Sequence, residues 1–120
     1  MTNKVDVQEV VIDGETYVKK SALPKVSDDY VVVRTYSAGV HAGELVSRNG
    51  KEVVLRNARR IWYWEGAASL SQLAMEGVSK PQNCKFAVPV TEITLTEAIE
   101  IIPAMDKGIA SIKGVPSWRV

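Results

Sequence analysis

Nine consecutive residues, Arg56-Asn57-Ala58-Arg59-Arg60-Ile61-Trp62-Tyr63-Trp64, carry three arginines and three aromatic rings in a chain that is 7% aromatic. Guanidinium groups pair in fork geometry with phosphate and stack on flat rings, and aromatic rings stack on bases. The combination suits a ligand with both a base and a phosphate. Side chains of an extended strand alternate between faces. That predicts Arg56, Ala58, Arg60, Trp62 and Trp64 on one face, with Leu55, Asn57, Arg59, Ile61 and Tyr63 on the other. The same residue types are enriched at protein interfaces. Each tryptophan therefore reads first as a core or interface group, and the arginines as ligand-binding groups or as a solvated edge.

Six further residues are candidates. Arg34 lies within the apolar run Tyr30–Tyr36, where a buried unpaired charge is costly. It faces solvent, pairs with a carboxylate, or contacts a ligand or a second subunit. Phe86, the single phenylalanine, is a core residue or a ring that stacks on a base. His41 and Cys84, the single histidine and cysteine, would make a nucleophilic dyad only if the fold joined them. Otherwise they are an ordinary loop histidine and a small buried hydrophobe. Gly39 and Gly43 mark a reversal or bulge, or else a backbone cradle for an anion.

The absences are equally informative. The sequence has no GxxxxGK[ST] loop, GxGxxG turn, HExxH helix or GxSxG elbow. With one histidine and one cysteine, neither a metal site nor an acid–base pair is suggested, which points to a binding protein rather than an enzyme, with no cofactor. A formal net charge of +1 argues against a dedicated duplex-DNA binder. The opening Met1–Asp6 lacks an apolar leader core and no run is long enough to span a membrane. The expectation is a reducing, soluble, cytoplasmic setting.

Elements must hold these residues in place. The 120 residues suit one domain. Val7–Ile12 and Thr16–Lys20 flank Asp13-Gly14 as a hairpin, and Pro24 with Ser27-Asp28-Asp29 breaks the pattern. Tyr30–Tyr36 is the clearest strand. The small residues 37–43 connect it to Glu44–Arg48, and Asn49-Gly50 turns into Lys51–Trp64. Leu70, Leu73 and Ala74 share a helix face, with Ser69 and Gln72 as a capping box and Gly77 at the end. Lys85–Val90 alternates with Phe86, Val88 and Val90 on one face. Thr91–Ile102 suits two short strands turning near Glu97, and Pro103–Lys113 a last helix with Ile109 and Ile112 inward. The fold class is α+β, an antiparallel β-sheet meander with two short helices in a single domain.

Three stretches, Val31–Gly43 (VVVRTYSAGVHAG), Glu52–Ala67 (EVVLRNARRIWYWEGA) and Ser69–Val78 (SLSQLAMEGV), carry a resemblance. They look like the first-described Thoeris anti-defence proteins of bacteriophages and prophages, a family of signalling-nucleotide sponges. The likeness runs from about Val7 to the end. It implies sequestration, without degradation, of the cyclic ADP-ribose isomers (glycocyclic ADP-ribose) made by bacterial TIR-domain enzymes. In some members it extends to cyclic oligonucleotides of CBASS immunity at separate sites. It implies homo-oligomers, dimers that join into hexamers, in the cytoplasm of the infected host. By the same resemblance Arg56, Arg59, Arg60 and Phe86 match the ligand pocket, Arg34 and the His41 loop the second kind of site, and Ser117–Val120 reaches a neighbouring subunit. The competing reading is a phage structural or assembly protein with an arginine- and tryptophan-rich interface.

Overall fold

The computed structural model describes residues 26–120, and the hairpin expected over Val7–Lys20 lies outside them. Strand β1 (Val26–Thr35), β2 (Val40–Asn49) and β3 (Glu52–Tyr63) form the meander. Helix α1 (Leu70–Glu76), the short strand β4 (Lys85–Phe86), β5 (Val90–Leu95), β6 (Ala98–Met105) and α2 (Asp106–Gly114) follow. All strand pairs are antiparallel, in the order β4-β3-β2-β1-β6, with β5 also on β3. The fold is α+β, as the sequence pattern predicts.

Local rules account for most boundaries. Gly50, at φ 63°, turns β2 into β3. Ser69 caps α1 by accepting from Gln72 N at 3.2 Å, and Gln72 Oε1 accepts in return from Ala68 N at 2.8 Å, one residue earlier than a standard capping box. Gly77 ends the helix with φ 82° and its N–H on Leu73 O. Four boundaries differ from expectation. Strand β2 begins at Val40 rather than Glu44, because Val40–Gly43 pair with β1, and β6 runs through Pro103 to Met105, pairing with β1, before α2 starts at Asp106. Strand β1 runs through Ser27-Asp28-Asp29, because Val26 pairs with Met105 across an irregular stretch of ladder. Lys85–Val90 is not one strand: β4 and β5 form a single edge along β3, interrupted at residues 87–89, where Pro89 has no N–H to donate. Phe86 is therefore buried while Val88 and Val90 are exposed.

The sheet cannot be flat. Leu95 pairs with Val53, which sits opposite Arg48 at the far end of β2. Three residues later Ala98 pairs with Thr35, whose neighbour Arg34 sits opposite Val40 at the near end. In a flat sheet Val40 and Arg48 lie roughly 27 Å apart along the strand, whereas three steps of chain span at most about 11 Å. The sheet must coil so that its corners meet. The β5–β6 turn closes the seam, with Ala98 N donating to Lys51 O at 3.0 Å and Tyr36 N to Glu97 O at 2.9 Å.

Coiling produces two cores. The enclosed side holds Val31, Val33, Val53, Leu55, Ala58, Leu95 and Ala98. The outer side packs Tyr30, Val32, Ala42, Ile61 and Phe86 against Leu73 and Ala74 of α1 and Ile112 of α2. Glycine sets the helix spacing: a Cβ on Gly108 would stand 2.0 Å from Ala74 O.

Candidate functional site

Strand β3 does not keep one alternation along its length. Asn57 adopts a left-handed φ of 51°, a conformation that asparagine tolerates better than most residues. At this bulge Gly43 alone faces both Asn57 and Ala58, because Ala42 pairs with Arg59 but Glu44 with Arg56. A Cβ on Gly43 would lie 2.9 Å from Ala58 Cα, so the position needs glycine for space. The parity flips here. Val53 and Leu55 face the enclosed core, then Ala58 does, and Arg59 and Ile61 turn toward the helices. The expected grouping of Arg56 with Ala58 and Arg60 fails at Asn57.

Arg59 is 4% exposed and all five of its N–H donors have acceptors. Nε donates to Ala87 O at 3.1 Å, and one terminal nitrogen to Ile112 O at 3.0 Å and Val115 O at 2.8 Å. The other donates to Phe86 O at 3.3 Å and Ser117 Oγ at 3.4 Å. The guanidinium thus ties the end of α2, strand β4 and the C-terminal segment to the sheet, and leaves no donor for a ligand. Burial lowers its pKa from the ordinary value, against the opposing influence of Tyr30. Burial in turn pushes the Tyr30 phenol up to about 12, so it stays neutral. Phe86 is fully buried with its ring 5.4 Å from the Arg59 guanidinium carbon, so stacking on a ligand is closed to it.

Arg60 points the other way and is exposed. Its backbone carbonyl accepts from Ala87 N at 2.8 Å, but its guanidinium forms no hydrogen bond or ion pair with the described residues. It lines two clefts at once. One, of about 380 Å³, is bordered by Ser37, Ala38, Gly39, Val40, Ile61, Trp62 and Trp64. The other, of about 170 Å³, is bordered by His41, Ala58, Ala87, Val88, Val90 and Ile93. The larger falls within the size range of small-molecule sites.

The loop beside Arg60 is built by Thr35. Its Oγ1 donates to Gly39 O at 2.7 Å and accepts from Ala38 N at 2.8 Å, while Gly39 supplies φ 83°. Gly39 and Gly43 thus serve a reversal and a bulge. His41 faces Arg60 across the β2–β3 ladder, and its Nε2 lies 2.9 Å from Ala38 O. A carbonyl only accepts, so Nε2 carries the proton. Burial first, and then Arg60, hold the His41 pKa below its ordinary 6.5, outweighing the bond to Ala38.

The remaining candidates lie apart. Arg34 is a half-exposed partner of Glu100 at 3.1 Å. Arg56, carried off by the bulge, approaches Glu92 at 3.7 Å and lines a different cleft with Tyr30, Glu44 and Lys113. Cys84 packs in the helix-side core, its Sγ 3.4 Å from Glu65 N, on the opposite side of the sheet from His41, so the dyad is not assembled. Among the described residues no group of three or more His, Cys, Asp and Glu could hold a metal ion, and no helix is long and apolar enough to cross a membrane.

Two site features escaped sequence reasoning. Trp118 stacks on Trp62 of its own chain, with centroids 6.3 Å apart and planes 12° from parallel. Lys85 Nζ lies 5.3 Å over the Trp118 ring. The resemblance implies a tail that reaches a neighbouring subunit. Its lone tryptophan is a visible signal in sequence, but its partner depends on Trp118 N donating to Phe86 O at 2.8 Å, a contact between distant parts of the chain.

A family model described as a domain of unknown function, DUF6948, matches residues 28–112. The chain belongs to this family. No curated protein and no solved structure matches it. The DUF6948 span runs from within β1 through most of α2, and takes in Arg59, Arg60, His41 and the Thr35–Gly39 loop. Trp118 lies beyond it.

Proposed function

We propose that this chain is a phage or prophage anti-defence sponge. It binds and sequesters glycocyclic ADP-ribose or a related cyclic ADP-ribose isomer made by TIR-domain enzymes, without degrading it. The observation that carries the reading is Arg60: an exposed guanidinium with no partner in the described residues, set between two clefts and beside Trp62 and Trp64. A guanidinium left unpaired next to flat rings suits an anion that bears a base. The sequence likeness of the Val31–Gly43 and Glu52–Ala67 stretches to the Thoeris anti-defence sponges supplies the identity of that anion, and extends the range to cyclic oligonucleotides of CBASS immunity. Sequestration needs complementarity and no acid, base or metal. The same likeness supports homo-oligomers, and the cytoplasm of the infected bacterium as the place of action.

The test incubates the protein with glycocyclic ADP-ribose, removes the protein by filtration and assays the filtrate. The signal disappears, then returns intact after heating. A signal that stays in the filtrate defeats the reading, and one that returns cleaved means an enzyme. A second reading, a phage assembly protein, is favoured by the exposure of Trp62 at 63% and Trp118 at 46%. It predicts an assembly in light scattering but no depletion of the nucleotide.

A further inference from the structure

Two indoles in parallel contact are left half in water, although each could bury a large apolar area. We propose that Trp62 and Trp118 together form the stacking platform for the base of a nucleotide whose phosphate is held by Arg60. This rests on the reading of the Arg60 cleft as a nucleotide site.

Position supports it first. Trp62 lies two residues from Arg60 on β3 and lines the same cleft. The β3–β4 ladder is irregular between Ile61 and Tyr63, so it is the shared cleft lining that puts both side chains on one side; two residues of extended chain span about 7 Å, a separation that the ribose of a nucleotide bridges. Charge supports it next. Arg60 and Lys85, the latter over the Trp118 ring, are both cationic. The nearby Glu65 is already engaged by Tyr63 Oη at 2.7 Å and Asn83 Nδ2 at 3.1 Å. A flat anion fits this surface better than an apolar or basic partner does.

Preorganisation supports it third. The tail that carries Trp118 is strapped to the body: Arg59 binds Val115 O and Ser117 Oγ, Phe86 bridges to Ser117, and Trp118 N donates to Phe86 O. A ring held in place before the ligand arrives loses little freedom on binding. Arg59, which offers the ligand nothing directly, is then a positioning residue for the platform.

The test is calorimetric titration of the full chain with glycocyclic ADP-ribose, beside Trp118→Ala, Trp118→Leu, Trp118→Phe and Arg60→Ala, with the mass of each assembly checked by light scattering. Stacking on a base, measured by alanine substitution, predicts about tenfold weaker binding for Trp118→Ala. Trp118→Leu, apolar but not flat, loses a similar factor, and Trp118→Phe recovers most of it, all at unchanged assembly mass. Binding by Trp118→Ala or Trp118→Leu as tight as the parent's overturns the platform. So does a weakening that tracks loss of the assembly, which would make the pair a subunit contact. If Arg60→Ala weakens binding while Trp118→Ala does not, the platform falls and the Arg60 reading stands. No binding by the intact protein overturns both.

Discussion

Arg59 and Arg60 are adjacent residues with the same side chain, and the fold puts them to opposite uses. Arg59 enters the helix-side core, where five acceptors surround it and Phe86 lies under it. Arg60, one peptide further, sits in a cleft with no partner among the described residues. The difference comes from the face of β3 that each takes, and that face is set by the bulge at Asn57. An arginine is thus read from what surrounds it, since both here belong to the same RR pair. The helix-side region is built for stability, the cleft is proposed to take an external anion, and each consequence can be tested separately.

The largest effect is expected on the stability side. Arg59→Ala strips donors from four carbonyls and a hydroxyl in and beside the core; Phe86 O keeps Trp118 N and Ile112 O keeps Val115 N, while each buried acceptor left bare costs about 1–3 kcal/mol. Some acceptors will recruit water, so the net loss is more than about 3 kcal/mol, a fall in melting temperature of roughly 10–20 °C for a domain of this size. Arg59→Lys recovers only part of it, since an ammonium has three donors and no planar fork. A thermal melt of Arg59→Ala that overlays the parent would show that the two arginines do not differ as described. Gly108→Ala acts on the same region by another route. Its new Cβ would press on Ala74 O from 2.0 Å, so the two helices must part, and overpacking of this kind costs about 1–3 kcal/mol. A denaturant midpoint unchanged in Gly108→Ala would mean that the helix crossing is loose enough to admit a methyl group.

Arg60→Ala sharpens the comparison from the other side. With no partner in the described residues to lose, its melting curve should stay within about 0.5 kcal/mol of the parent's. A desolvated charge-assisted hydrogen bond is worth about 1.5–3 kcal/mol, so affinity for glycocyclic ADP-ribose should drop roughly tenfold to a hundredfold. Equal affinity in a titration would remove the cleft from the site.

What the sequence discloses follows from how local each cause is. The β2–β3 turn at Asn49-Gly50, the Ser69 cap, the Gly77 stop and the reversal near Glu97 are set by neighbours a few residues away, and all are legible. The parity of β3 is not. One residue in a left-handed conformation reverses the side chains from Ala58 to Ile61, where the β3–β4 ladder shifts register again, and nothing near Asn57 announces it beyond an asparagine. The inequivalence of Arg59 and Arg60 follows from alternation alone, but which of them turns inward depends on that bulge. The five acceptors around Arg59 come from residues 86–117, so no pattern within β3 could reveal them. The sequence leaves Phe86 between core and ligand for the same reason: Pro89 breaks the edge, and only the sheet fixes the side on which Phe86 lies.

The smallest effect separates the two regions by pH. His41 lies behind Arg60, buried and with its proton on Nε2 toward Ala38 O. Its pKa in the folded chain is depressed below the ordinary 6.5, so the unfolded chain takes up a proton before the folded one does. Stability rises with pH wherever the unfolded state binds more protons. The contribution of His41 is therefore complete above about pH 6.5 and is lost progressively as pH falls toward the folded value. The Glu65 carboxylate is also depressed, but from 4.5, so its effect belongs to a more acid window. The measurement is a series of melts from pH 8 to pH 5, parent against His41→Gln, whose amide can still donate to Ala38 O but cannot titrate. The parent should lose stability on acidification more steeply than His41→Gln between pH 6.5 and 5. Parallel curves would mean that His41 is solvated enough to protonate in place, and the floor of the Arg60 cleft would then be wetter and more open than its burial implies.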